Sequence, residues 1–266
     1  MQLSEPLVDI HCHLLPDLDD GAQNWQEATQ MARMAVADGI GTVVVTPHQL
    51  GVYSHNGGDQ IRRRTMELQS WLREKGIPLR VVAGAHVRCE EDLLTKIRSG
   101  EVLTLADQGK HVLLELPPAP FPLLEEVLEE LQAADLVGIV ARPERHGMFQ
   151  RNRQRICELV DAGCLMQITA DSLVGAFGYR SQELSEWMLD QRLVHFVASD
   201  AHGANSRRPL LRQAYSRVAA LTDDETAAIL FQRNPTAVVA GEDVVGMGLR
   251  RQVARWGNWF RWRRAA

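Results

Sequence analysis

The 266-residue chain lacks most of the features that would assign it quickly. No apolar run is long enough to span a bilayer. The N-terminal segment MQLSEPLVDI has neither a basic start nor an apolar stretch, so it does not read as a secretory signal. The four cysteines, Cys12, Cys89, Cys157 and Cys164, form no CxxC pair, which argues against the usual zinc and redox spacings and against an oxidising compartment. No GxGxxG and no GxxxxGKS/T follows a candidate strand, so the phosphate-binding fingerprint of an open, doubly wound sheet is missing. A net charge of −5 leaves no basic excess to attract nucleic acid. These absences leave a globular protein, cytoplasmic by default.

What is present is alternation. Short β-rich runs at 7–11, 42–46, 79–84, 111–116, 138–141, 165–169 and 194–199 are separated by patterns of helical period. The helical segments are 25–38, 61–75, 122–134, 152–162 and 181–190, followed by two more at 209–220 and 223–233. Gly39, Gly76 and Gly163 stand where helices end, Pro122 stands at a helix start, and Thr222-Asp-Asp-Glu reads as a capping-box-like start. Repeated strand–helix units predict parallel strands joined by right-handed crossovers. Seven of them predict a closed or nearly closed β/α barrel.

The stretch 9–21, DIHCHLLPDLDDG, places His11 and His13 on one face of the first strand, with Cys12 on the other. Taken alone, two imidazoles followed by acids fit a metal site and a pair of surface histidines equally well. The other strands break the tie. The second runs into His48, the third into His86, the fourth carries Glu115, the fifth runs into Arg142-Pro-Glu-Arg145, and the seventh into Asp200-Ala-His202. Ligand-type residues at the same end of strand after strand are what a barrel active site requires. Such a set suits two or three divalent ions working on a phosphoryl group. Arg145 and Arg207 lie just past strand ends, placed either to bind phosphate or as solvated loop arginines. His111 opens its strand and His195 lies five residues before Asp200, so both belong away from the site; the bland reading is preferred for His55, and His146 is undecided. The HxH start is shared with amidohydrolases, but Arg142 on the fifth strand and the Asp-x-His pair argue against that chemistry.

The motifs DIHCHLLPDLDDGA, VVVTPH, VVAGAHV, LLEL, RPERH, QITADSLVGAFG, VASDAHGANSRRP and RNPTAVVAGE resemble the PHP (polymerase and histidinol phosphatase) superfamily. Within it, the chain is similar to bacterial manganese-dependent tyrosine-protein phosphatases of the CpsB/YwqE type, linked to capsule and exopolysaccharide synthesis. The resemblance implies a distorted (β/α)7 barrel with its metal site at the C-terminal ends of the strands. It implies His11, His13 and Asp200 on one ion, Asp20, His48 and His202 on a second, and Glu115 with His86 at a third position. Arg145 and Arg207 would bind phosphate, and a metal-activated water rather than a cysteine would attack. The ions would be manganese or a similar metal (iron, zinc, cobalt or magnesium). The substrate would be a phosphotyrosine protein, in the first place a membrane-associated tyrosine kinase.

Two positions depart from the family pattern, which has glutamate at His86 and histidine at Arg142. A guanidinium stays protonated and cannot ligate a metal. The expectation is therefore two ions, with Arg142 paired to Glu115 at the third position. Three outcomes stay open: a two-metal tyrosine phosphatase, a phosphatase for a small-molecule phosphoester, or a catalytically silent metal-binding regulator. Asp17 and Asp19 read as loop acids without a matching role.

The chain divides into one domain over 1–248 and a tail over 249–266. From Arg250 the tail carries six arginines and three tryptophans with no acid. Leu249, Val253, Trp256 and Phe260 share one helical face. The pattern fits a helix lying on anionic lipid at the inner face of the membrane, or one packed on the domain's flank or on a second copy of the chain.

Overall fold

A computed structural model of the chain describes residues 5–117 and 124–245. The tail and the boundary at 248 lie outside the described residues, as does Pro122. The strands are β1 Leu7–Cys12, β2 Ile40–Val45, β3 His48–Gln49, β4 Arg80–Ala83, β5 His86–Arg88, β6 His111–Glu115, β7 Val137–Ala141, β8 Leu165–Thr169 and β9 Phe196–Ala198. Seven are the predicted ones, displaced by no more than two residues at either end. The two short additions, β3 and β5, each begin on a predicted ligand, His48 and His86.

Every ladder is parallel, but the ring is not continuous among the described residues. One sheet has the order β1-β2-β4 and the other β3-β5-β6-β7-β8-β9. The break has a local cause. Between β2 and β3 stands Pro47, which has no N–H to continue the ladder. Its carbonyl instead accepts from the amide of His86 at 3.1 Å, so the chain changes sheets just where the ligands begin. At the far seam β1 meets the segment after β9 through a Cys12–Ala201 bridge. There the Asp200 amide donates to the His11 carbonyl, and the His13 amide to that of Ala201, both at 2.9 Å. The architecture is thus a mixed α/β fold with two parallel sheets brought together at their C-terminal ends.

The helices follow their predicted faces. Helix Trp25–Ala37 buries Ala28, Met31, Ala32 and Ala35, the i, i+3, i+4 and i+7 stripe, and Asn24 caps it by accepting from the Glu27 amide. Gly39, Gly76 and Gly163 all have positive φ (95°, 65° and 94°), the conformation that ends a helix. Apolar side chains on the outer strand faces pack under these helices with Leu68, Leu72, Leu128, Leu131 and Ile156. A smaller inner cluster gathers Val8, Ile10, Val44, Leu113, Ile139, Ala141, Phe196 and Ala198. Burial on both faces is the normal state of parallel strands.

One start differs from expectation. Asp223, not Thr222, caps the last helix, accepting from the Thr226 amide at 2.6 Å, while the Thr222 hydroxyl turns back to the Val218 carbonyl. That helix widens into a π turn at Ile229–Arg233 just ahead of Pro235. The wider turn accommodates a residue with no amide to donate.

Candidate metal centre

The first strand delivers its histidines through an irregularity. Val8 and Ile10 belong to the inner cluster and Cys12 to the outer one. Strict alternation would then turn His11 outward. The register of β1 shifts between Asp9 and Cys12, as in a β-bulge, and this brings His11 to the inner side. Asp9 holds the kink, its carboxylate accepting from the amides of His11 and Ser199 and, at 2.5 Å, from the Ser199 hydroxyl. Burial pushes this carboxyl up to about 6. Gly21 then closes the loop over His13: a Cβ there would lie 2.2 Å from the His13 carbonyl oxygen.

His11, His13, His48, His86 and His202 come together as one imidazole cluster, with ring centroids as close as 3.9 Å for His13 and His202. Three of the five rings are oriented by a partner on Nδ1. His11 Nδ1 is 2.8 Å from Gln167 Oε1, His13 Nδ1 is 2.6 Å from Asp19 Oδ2, and His202 Nδ1 donates to the Asp200 carbonyl at 2.8 Å. The Nε2 of each of these three is thereby left with its lone pair facing the cluster, as a metal ligand needs. The Nε2 atoms of His11 and His13 stand 3.3 Å apart. Burial pushes His11 and His202 down to about 3, and His13 and His86 well below the ordinary imidazole value, so these rings are neutral. His48 moves the other way: burial alone would lower it, but the hydrogen bond and charge of Glu115, 3.2 Å away, outweigh that. Asp20 Oδ1 lies 3.6 Å from both His48 Nε2 and His202 Nε2.

Asp200 faces two ways. Oδ1 looks into the imidazoles, 3.1 Å from His11 Nε2 and 3.7 Å from His13 Nε2. Oδ2 receives three guanidiniums: Arg142 at 3.1 Å, Arg145 at 3.0 Å and Arg207 at 2.5 Å. Burial would raise this carboxyl, but Arg142 leads a set of neighbouring cations that hold it well below the usual carboxylate range. Arg142, Asp200 and Arg207 all adopt left-handed φ (55°, 52° and 49°), a conformation that costs a branched or long side chain free energy and that clusters at functional sites. The turn carrying the first two arginines is anchored by Glu144, wholly buried, whose Oε1 accepts from the Thr169 amide and the Ser172 hydroxyl. Arg145 lies over the Phe177 ring, 3.8 Å from its centroid.

All ten predicted site residues thus meet at one rim: His11, His13, Asp20, His48, His86, Glu115, Asp200 and His202 with Arg145 and Arg207. The expected Arg142–Glu115 pair is present at 3.2 Å. Among the described residues, three groups of donors are close enough to share an ion: His13, Asp20, His48 and His202; His11, His13 and His86; His48, His86 and Glu115. Asp19 is not an idle loop acid, as its sequence position suggested, because it orients His13 and accepts from the His48 amide. Gln167, Asp9 and Glu144 escaped the sequence reading too. The signal available was a polar side chain inside an apolar strand, as in MQIT and VDIH. His146 is structural: its Nε2 bonds the Pro117 carbonyl, and its Nδ1 accepts from the Met148 amide. His111 and His195 are buried outside the cluster, both pushed down to about 4 by burial. No cysteine is poised as a nucleophile: burial raises Cys12 and Cys157 and pushes Cys89 and Cys164 up to about 12.

Residues 7–240 match the family described as capsular polysaccharide synthesis, CpsB/CapC. Tyrosine-protein phosphatase YwqE of Bacillus subtilis is 36% identical over 203 residues, covering 76% of this chain and 79% of YwqE. Tyrosine-protein phosphatase CpsB of Streptococcus pneumoniae is 27% identical over 239 residues, covering 88% and 98%. A crystal structure from work on YwqE and CpsB, described as unique metal-dependent tyrosine phosphatases, superposes with a TM-score of 0.86 at 31% identity, over 90% of this chain and 96% of that one. N-acetyl-D-glucosamine-6-phosphate deacetylase of Mycobacterium smegmatis, 13% identical with a TM-score of 0.51, shares the fold alone. By sequence and by fold, the chain belongs to the CpsB/CapC family of capsular polysaccharide synthesis.

Proposed function

We propose that this chain is a metal-dependent protein-tyrosine phosphatase, with His11, His13 and Asp200 on one ion and Asp20, His48 and His202 on another. The observation that carries the reading is the division of Asp200, one oxygen among neutral imidazoles and the other among guanidiniums. The donor set fits divalent metal. His202 Nε2 and both nitrogens of His86 are buried with no hydrogen-bond partner, which is costly unless a cation takes the one lone pair that each neutral ring offers. Bound divalent ions would lower the pKa of a water and polarise a phosphoryl oxygen. Manganese is the ion the resemblance favours.

The chain's own residues do the rest. Asp200 would tie an ion held by the imidazoles to the arginines, so Arg145 and Arg207 would be placed to bind the phosphoryl group of the substrate. Arg207 Nε is buried without an acceptor in the structure, a donor ready for a phosphate oxygen. The stack on Phe177 holds Arg145 while its guanidinium exchanges Asp200 for substrate. The cysteines contribute no attacking group, because burial keeps them as thiols. In this reading the two sheets form one interrupted (β/α)7 barrel. The substrate is a phosphotyrosine protein of capsule or exopolysaccharide synthesis, with a membrane tyrosine kinase as first candidate and the Arg/Trp tail bringing the chain to the membrane.

Aryl phosphate turnover tests this. Manganese should support hydrolysis, a chelator should remove it, and thiol alkylation should leave it. Chelator-resistant turnover, or loss on alkylation, would overturn the metal reading. Turnover of small phosphoesters without any of phosphotyrosine peptide would reassign the substrate, and no turnover of either would leave a silent metal-binding regulator.

A further inference from the structure

The three groups of donors are not equally open to a metal ion. The first two contain only imidazoles and the Asp20 carboxylate. The third, His48 with His86 and Glu115, already contains a cation: Arg142 Nη2 lies 3.2 Å from Glu115 Oε1, while its Nη1 reaches Asp200 Oδ2 at 3.1 Å. The guanidinium therefore ties up the one carboxylate of the third group and links it to Asp200. Its position is built rather than incidental. Arg142 sits in a left-handed backbone conformation, its amide donates to the Gln167 carbonyl at 2.8 Å, and its side chain is largely buried. A guanidinium cannot be deprotonated to make way, and a dication beside it would face strong repulsion at short range.

His86 supplies the second observation. It is wholly buried, and neither ring nitrogen has a hydrogen-bond partner. Its ring lies 4.3 Å from that of His11, 4.8 Å from His48 and 5.9 Å from His13, centroid to centroid. An imidazole so placed has a use only if an ion takes its one available lone pair. Two groups compete for it. Arg142 closes the one built on Glu115, which leaves the one built on His11 and His13.

We propose that Arg142 is a fixed third cation of this centre, and that His86 is consequently a terminal ligand of the ion held by His11, His13 and Asp200. This inference rests on the metal-dependent reading above. It makes the first ion a site of three imidazoles and one carboxylate oxygen, a donor set that suits cobalt, zinc or iron better than magnesium. It also gives a cationic contact beside the substrate phosphate that no chelator removes.

The test uses cobalt(II) alone with the full chain, and reads bound metal per chain and the visible absorption of the bound ion. Wild-type protein should retain two ions. Arg142→His, which exchanges the cation for a ligand beside Glu115, should gain a third, and Arg142→Lys, which keeps a positive charge, should stay at two. His86→Ala should bind the first ion more weakly, by at least about tenfold, with a changed cobalt spectrum. Three ions in the wild type, no gain in Arg142→His, or an unaltered spectrum in His86→Ala would each overturn the proposal. If Arg142→His does not fold, the wild-type count and the His86→Ala spectrum still decide. Failure of the wild type to retain cobalt would instead strike the metal-dependent reading itself.

Discussion

The two halves of the rim meet at Asp200 and are built on opposite principles. On the Oδ1 side, burial strips charge from the imidazoles and a hydrogen bond on the far nitrogen aims each of His11, His13 and His202. The imidazoles of that half are neutral and pre-aimed. On the Oδ2 side, Arg142, Arg145 and Arg207 bring positive charge of their own, and it is there before any ion arrives. The contrast shows how one carboxylate can be held ionised in a buried place: cations surround one oxygen while the other is offered to metal. The left-handed backbone at Arg142, Asp200 and Arg207 fits this contrast, since side chains from the two segments after β7 and β9 must converge on two atoms.

Substitutions can take the halves apart. Asp200→Asn removes the shared charge, so both metal retention and turnover should fall, kcat/KM by about 10³-fold or more. Retention of metal with unchanged kcat/KM would disprove the division. Arg207→Ala touches only the cationic half; kcat/KM on an aryl phosphate should drop by roughly 10²–10³-fold while the metal content holds. Asp19→Asn does the reverse, weakening metal affinity by about 10–100-fold through His13, with activity restored at high metal concentration. Failure of added metal to restore it would mean that Asp19 acts on something besides His13.

The smallest effect lies outside both halves. His111 is pushed down to about 4 by burial, against about 6.5 in the unfolded chain. Between those values the unfolded chain binds more protons, so stability is full above pH 6.5 and is lost as the pH falls towards 4. This one group should cost about 2 kcal/mol at pH 5. Denaturant midpoints of His111→Leu should therefore fall less between pH 7 and pH 5 than those of the wild type. An equal fall would assign the acid sensitivity to the other buried histidines, His195 and those of the rim.

Much of this was legible in the chain itself. Periodicity marked seven strands to within two residues, because a buried parallel strand must be apolar along its length and its helices must end at residues such as Gly39 and Gly163. The ligands were legible because each follows a strand, and strand ends gather at one side of any parallel β/α fold. The partners behind them were not. Asp19 looked like one of three acids in a loop, Gln167 like part of a strand, and Asp9 like the first letter of a motif. Their roles depend on contacts with residues as much as 190 positions away, as for Asp9 and Ser199.

By itself, then, the sequence determined the strand–helix order, the end of the strands at which chemistry collects, and the residue types assembled there, since spacing and side-chain chemistry are local properties. Only the tertiary structure decided which imidazole nitrogen faces the cluster and that the strands fall into two sheets at Pro47. It alone placed three arginines on one oxygen of Asp200. Each of these depends on distances between segments remote in the chain, and no local pattern encodes a distance.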